Sequence, residues 1–550
     1  MYVLENPVLQ RELLVNLRMV RAFILLFVYQ VMLGAVVYFA WPQDTHLDLT
    51  VDSENSRQTK QLVDLFFIGQ FVIASMMAPS FAAGSITGEK ERHTYEMLLA
   101  SPLRPAAIVL GKLVAALTHL AVLIFASLPI VMLCLPLGGV HPTELLAAYL
   151  GLIISVITFG MISVACSAFF ARTSAALVVS YLLILPLVII GSIFWLQMAG
   201  DNSTMRLVLI ITVLPAMAIA ACLALFFNTS ALLLHPPDVG SEGKEVVDLE
   251  QEAQQAVGLV IQRDQFPDKL FAPPKRDDLM DDDANPVYDK EIRSEIFSQG
   301  TLMLRLVIQI SMVLAIPFMA VCLYIYPKYA PWYISYVVVF NMLVGPVFSA
   351  GSVTSERERE TLDLLLTTVI TPWQILWGKL IAGLRVSSVL TLFLVWPVLL
   401  ACAMVKDYWT NLPAVGAYLS IILLTCLTTA MIALFCSVIF RTTSMSLMTT
   451  YLIIIILFCA PLAVNFFAQT FFADHPNTAK IAWLGVASPF SAAHAIPLDI
   501  QLGTESLTPE QLSGNWPLYS LFVGFTFALN GLLLLVMMWQ FSTRWRVATA

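Results

Sequence analysis

The chain has 550 residues, of which 59% are hydrophobic and only 12% charged, with a mean hydropathy of +0.82. Soluble domains carry roughly a quarter of their residues as charges, so a soluble globular enzyme is excluded and an integral membrane protein is implied. The net charge of -8 is local: residues 235–295 hold 16 acidic and 7 basic side chains, which leaves the rest near neutral.

The chain opens with Asn6-Pro7-Val8-Leu9-Gln10-Arg11-Glu12. Asparagine as N-cap and proline at the first helical position predict a helix start, because proline has no amide hydrogen to lose there. Leu9, Leu13 and Leu17 share one face, as expected of a short elbow helix lying in the membrane interface. Apolar runs long enough to cross a hydrocarbon core of about 30 Å follow near Met19–Ala40, Leu62–Ala83, Ala106–Leu135, Leu145–Phe170, Ala175–Met198 and Leu207–Leu234. The first follows some twenty polar-studded residues and exceeds a usual h-region, so no cleavable signal peptide is expected.

Between the second and third runs lies SITGEKERHTYEMLLASPLRPAAIVLGKLVAAL, Ser85 to Leu117. Its Glu89-Lys90-Glu91-Arg92 charges alternate at a spacing that favours a helix, and it is expected to face water. Met97, Leu98 and Leu99 add an apolar patch, and Pro102 limits the helix. Lys112 follows Gly111 at the foot of the next span, where a lysine can snorkel to the interface.

Residues 235–284, with DDLMDDDA and no sustained apolar period, read as an acidic cytoplasmic linker. The pattern then starts again. Asn285-Pro286-Val287-Tyr288-Asp289-Lys290-Glu291 echoes the opening, and six further runs fall near Leu302–Tyr326, Trp332–Ala350, Ile375–Met404, Leu412–Phe440, Met445–Ala468 and Leu518–Phe541. The loop after the second of these, SVTSERERETLDLLLTTVITPWQILWGKLIAGL from Ser352 to Leu384, matches Ser85–Leu117 in register without a gap. The expected fold is therefore an all-α membrane protein of about twelve transmembrane helices in two parallel six-helix repeats, residues 1–234 and 285–550, each with an elbow helix and a repeated cytoplasmic loop helix.

Arg11, Arg18, Arg21, Lys90, Arg92, Arg104, Arg172, Arg441, Arg544 and Arg546 fall on one side of this topology, so both termini are expected in the cytoplasm. The opposite side is asymmetric. A polar loop, Trp41–Gln61, follows the first span of the first half, whereas a long segment, Gln469–Pro517, precedes the last span of the second.

Chemistry-bearing motifs are sparse. A Walker A loop needs G-x-x-x-x-G-K followed by Ser or Thr to wrap phosphates, and neither Gly111-Lys112-Leu113 nor Gly378-Lys379-Leu380 supplies it. The cysteines lie in apolar runs without C-x-x-C pairs, and His93 has Glu360 as its counterpart, so no catalytic residue, metal or cofactor site is expected in the chain. Gln30, Gln70, Asn228, Gln309, Asn341, Asn465 and Asn530 lie inside the runs, where amides commonly bond between helices. Arg385 lies deeper in its span than Lys379 and either snorkels or faces an aqueous cavity.

A Glu-Lys-Glu-Arg-x-Thr-x-x-x-Leu-Leu stretch after the second of six spans, followed by Pro and Gly-Lys, resembles the membrane subunits of type-2 ATP-binding-cassette transporters, most of all the permeases associated with multicopper-enzyme maturation. The resemblance covers nearly the whole chain, once per half. It implies a permease, driven as an exporter in the inner membrane by separate cytoplasmic ATPase subunits that bring the ATP and magnesium. It also implies two coupling helices gripped by those subunits: Glu89, Glu91, Arg92, Thr94, Leu98 and Leu99 in one, and Glu356, Glu358, Arg359, Thr361, Leu365 and Leu366 in the other. The elbow residues Asn6, Pro7, Arg11 and Glu12, with Asn285, Pro286, Lys290 and Glu291, would lie beside them. The lipid bilayer, the ATPase and an unidentified substrate are the expected partners, and nucleic acid is not. A membrane anchor or signalling scaffold for the ATPase is the other reading of the same features.

Overall fold

The computed structural model describes residues 7–17, 27, 29–31, 33–34, 37–38, 54–91, 94–132, 141–170, 173–197, 203–234, 285–293, 301–326, 329–405, 408–409, 411–471, 478–496 and 515–544. Among these residues regular structure is entirely helical, as a hydrocarbon environment requires of an open chain whose backbone must satisfy itself. Among the described residues ten helices are long and apolar enough to cross a membrane, or eleven if the bent helix Pro105–Met132 counts as one span. The expected first span, Met19–Ala40, lies largely outside the described residues, as do Asn6, Arg92 and the linker 235–284. The chain forms two compact units, residues 1–239 and 240–550.

In the first unit, α1 (Pro7–Leu17) packs against α5 (Pro105–Met132). The second span, α2 (Glu54–Ala82), continues through a single turn residue into the repeated loop, α3 (Gly84–Glu91) and α4 (Tyr95–Leu99). Then α6 (Pro142–Phe169), α7 (Thr173–Gln197) and α8 (Ser203–Leu234) complete the bundle. Helix α6 is its centre, packing on α2, α5, α7 and α8. Gly160 on α6 makes this possible, because a Cβ there would lie 2.7 Å from the Leu117 side chain of α5. Helix α8 instead leaves nearly all of its apolar stretch exposed, with 6% buried.

The second unit repeats the plan with α9 (Pro286–Arg293), α10 (Thr301–Met319), α11 (Ala330–Ala350), the loop helices α12 (Thr354–Glu358) and α13 (Leu362–Leu366), α14 (Pro372–Met404), α15 (Leu412–Ile439) and α16 (Thr443–Phe458) with its continuation α17 (Ala460–Phe471). A π-helical turn, Ala320–Ile325, ends the first span of this unit. Helices α11 and α15 form the core, the latter 83% buried along its apolar stretch. Before the last span, α20 (Trp516–Arg544), the segment α18 (Thr478–Ala482), a 3-10 turn and α19 (Pro489–Ala495) folds back onto α11, α15 and α20. Tyr418 donates to the Ile496 carbonyl at 2.6 Å, and His494 stands edge-on to Trp332. Part of the long segment before the last span is thus a packed cap.

Three of the intramembrane amides bond between helices, whereas Asn465 accepts from Gln469 within its own helix. Gln70 donates to the Tyr29 hydroxyl at 2.8 Å, Asn341 accepts from Thr391 at 2.6 Å, and Asn530 donates to Thr428 at 3.0 Å. Each joins two spans, which in lipid gives helix association a direction that apolar contacts lack.

Candidate functional site

The repeated loop builds the same polar knot in each unit. In the first, the amides of Ile86 and Thr87 both donate to the Ser167 hydroxyl near the end of α6, at 3.0 and 2.9 Å. The Thr87 hydroxyl donates to the Ala83 carbonyl and lies 3.0 Å from the Thr173 hydroxyl at the start of α7. In the second, Val353 and Thr354 donate to Ser437 at 2.9 and 3.0 Å, and Thr354 meets Thr443 at 3.0 Å. The first amides of a helix have no partner within it. One serine on a neighbouring span supplies that partner twice over.

The alternating charges divide between inside and outside. Lys90 donates to the carbonyls of Ala168 and Phe170 at the end of α6; Arg357 donates to those of Val438 and Phe440 at the end of α15. A cation on the orphan carbonyls of a helix C-terminus both caps it and opposes its negative dipole end. Glu91 accepts from the Thr173 amide at 2.8 Å, and Glu358 from the Thr443 amide and hydroxyl at 3.0 and 2.8 Å. These carboxylates cap the fifth span of each unit from a distant part of the chain. The expectation of a wholly hydrated charge run is corrected: only part of it faces out, because the spans leave helix ends that need these charges.

Glu89 and Glu356 are the hubs. Glu89 accepts from the Thr94 hydroxyl and from Lys112 at 3.3 Å. Glu356 accepts from the Thr361 hydroxyl and from Lys290 at 2.5 Å, with Lys379 at 3.6 Å. Lys379 also reaches Glu291 of the elbow helix at 2.5 Å and the Ser352 carbonyl at 2.7 Å. Lys112 and Lys379 are buried, 4% and 1% exposed, so neither snorkels as expected. An ion pair holds each ammonium in place of headgroup water.

Elbow and loop meet through the Gly-Lys pair. Asn285 accepts from the amides of Val287 and Tyr288, the predicted cap, and its amide donates to the Gln374 carbonyl at the start of α14. A Cβ on Gly378 would lie 3.0 Å from the Tyr288 nitrogen and 3.2 Å from Asn285. Glycine lets α9, which starts at Pro286, lie against α14, and the next residue, Lys379, locks it there. Lys290 keeps a half-exposed side chain while pairing with Glu356, and Arg11 is exposed. The side chain of Glu12 lies outside the described residues.

At the tip of each loop the chain turns sharply. The Thr94 amide bonds to the Glu89 carbonyl at 3.0 Å and Thr361 to Glu356 at 2.9 Å. Glu360 takes φ 57° to make the turn in the second copy, a left-handed conformation uncommon for a residue with a Cβ. Beyond it, Leu98, Leu99, Leu365 and Leu366 are half-buried, Arg359 is exposed, and Thr94 and Thr361 face the hub. Met97 and Leu364, in equivalent positions, are 75% and 68% exposed, each preceded by an exposed acid, Glu96 or Asp363. The two inward cations and these two exposed pairs were absent from the predicted set. Their signal was present as in-register matches of Lys with Arg, Glu with Asp and Met with Leu.

The family model for ABC-2 family transporter proteins matches the chain twice, over residues 10–230 and 206–545. A search of curated proteins gives no match. Family membership makes the chain a multi-pass membrane component that works with separate ATPase subunits and is not itself the catalyst. With the matches together spanning nearly its whole length, the chain belongs to the ABC-2 family transporter proteins, as the permease subunit of an ATP-binding-cassette transporter carrying two permease halves in one polypeptide.

Proposed function

We propose that this permease is an exporter of the inner membrane with both termini cytoplasmic, and that α3–α4 and α12–α13 are its two coupling helices, each receiving one ATPase subunit. On this reading residues 1–234 and 285–550 are the working halves and 235–284 their tether. The observation that carries it is the duplicated knot: both copies tie the loop to the third, fourth and fifth spans, yet leave a large apolar side chain exposed at the same register position, Met97 or Leu364. Burying such a side chain in a partner is worth about 1.5–3 kcal/mol.

A push on the tip would be passed directly to span ends, because Glu89–Lys112 and Glu356–Lys379 join the loop to the third span. No nucleotide chemistry is asked of the chain. Met97→Glu with Leu364→Glu is expected to lower co-purification of the ATPase at least tenfold, about 1.4 kcal/mol, while insertion and melting are unchanged. Undiminished co-purification would reject these loops as the docking sites. Cargo release into the lumen of inside-out proteoliposomes on ATP addition tests export; ATP-driven loss of lumenal cargo would reverse the direction, and ATP turnover without movement would favour the scaffold.

A further inference from the structure

The geometry points to a binding site for a zwitterionic phosphoethanolamine headgroup at the end of the first unit opposite its loop helices. Four helices converge there: Lys60 and Asp64 from α2, Glu144 from α6, Trp195 from α7 and Arg206 from α8 all line one shallow, open notch. Its floor is self-satisfied. Arg206, 6% exposed, pairs with Asp64 at 3.0 Å and lies over the Trp195 ring at 4.5 Å.

What is left over defines the ligand. The Trp195 Nε1–H is buried without an acceptor, and Lys60 and Glu144, which act on Asp64 only at longer range, make no direct ion pair among the described residues. One donor in the wall, one cation and one carboxylate at the rim match a phosphate beside an ammonium. A buried donor without a partner costs about 1–3 kcal/mol, and a phosphate oxygen would remove that cost. The ammonium must carry hydrogens, because a quaternary one is held by open aromatic faces and Arg206 already covers the Trp195 face.

Depth agrees. Asp64 and Gly84 are separated by twenty residues of nearly continuous helix, about 30 Å at 1.5 Å per residue, which is one hydrocarbon thickness. The notch therefore sits at the membrane surface opposite the loop, beside lipid-exposed α8, at the level where Trp is usually found. The second unit has Pro327 and Pro331 where the first has Lys60 and Asp64, so one site per chain is expected.

Native mass spectrometry of the full chain with phosphatidylethanolamine, phosphatidylcholine and phosphatidylglycerol tests this. Wild type should retain the ethanolamine lipid about tenfold better than the other two. Lys60→Gln with Glu144→Gln should abolish that preference without changing the melting temperature, since the Asp64–Arg206 pair is kept, and Trp195→Phe should separately abolish it. Equal retention of the three lipids by wild type, or an unchanged preference in both variants, would overturn the assignment. Soluble glycerophosphoethanolamine identifies the source: displacement of the lipid at equal concentration indicates a free zwitterion of the same chemistry, and lipid retention indicates a membrane component.

Discussion

Lys379 has a buried ammonium with two carboxylates and one carbonyl around it. Removing one member of such a group leaves charge uncompensated, at about 3–5 kcal/mol, whereas an exposed pair is worth about 0–1 kcal/mol. The two lysines that meet Glu356 therefore differ in weight. Lys379→Met is expected to destabilise the protein by about 3 kcal/mol and to free the elbow helix for proteolysis near Arg293, as read by melting and limited digestion. Lys290→Ala, whose side chain is 56% exposed, is expected to change melting little. Equal effects of the two would mean that burial does not govern this hub.

At the scale of an element, the loop helices are too short to hold themselves together. Helix α12 has five residues and α13 five, far below the length at which an isolated helix is stable in water. Their order comes from the spans. Ser437 alone accepts two buried amides. Ser437→Ala leaves both without an acceptor, a cost of about 1–3 kcal/mol for each, and is expected to destabilise by at least about 2 kcal/mol and to raise hydrogen exchange across 353–358. Ser388→Ala, which loses only an exposed bond to the Arg385 carbonyl, serves as the comparison. Indistinguishable melting of the two variants would contradict the anchoring role of Ser437.

For the whole molecule, duplication explains what could be read before the fold was seen and what could not. Span positions were legible because lipid selects long apolar runs whatever their neighbours, and α14 and α15 begin and end within a few residues of the expected Ile375–Met404 and Leu412–Phe440. The loop was legible because its residues match in register. Burial within it was not. Glu89, Lys90 and Lys112 have the composition of a hydrated surface, and only the Glu89–Lys112 pair and the carbonyls at the end of α6, distant in sequence, make their inward turn favourable. The cap formed by α18 and α19 was hidden for the same reason: Ala492, Ala493 and Ile496 are buried by spans that the local sequence does not name.

The central claim is that an external motor grips both loop tips. Photocrosslinking from benzoylphenylalanine placed at Met97, at Leu364 and, as a lipid-facing control, at Leu223 tests it in native membranes that contain the cognate ATPase. The account predicts crosslinks to the ATPase from both tips and none from the control. Absence of crosslinks from either tip in the assembled complex would contradict it.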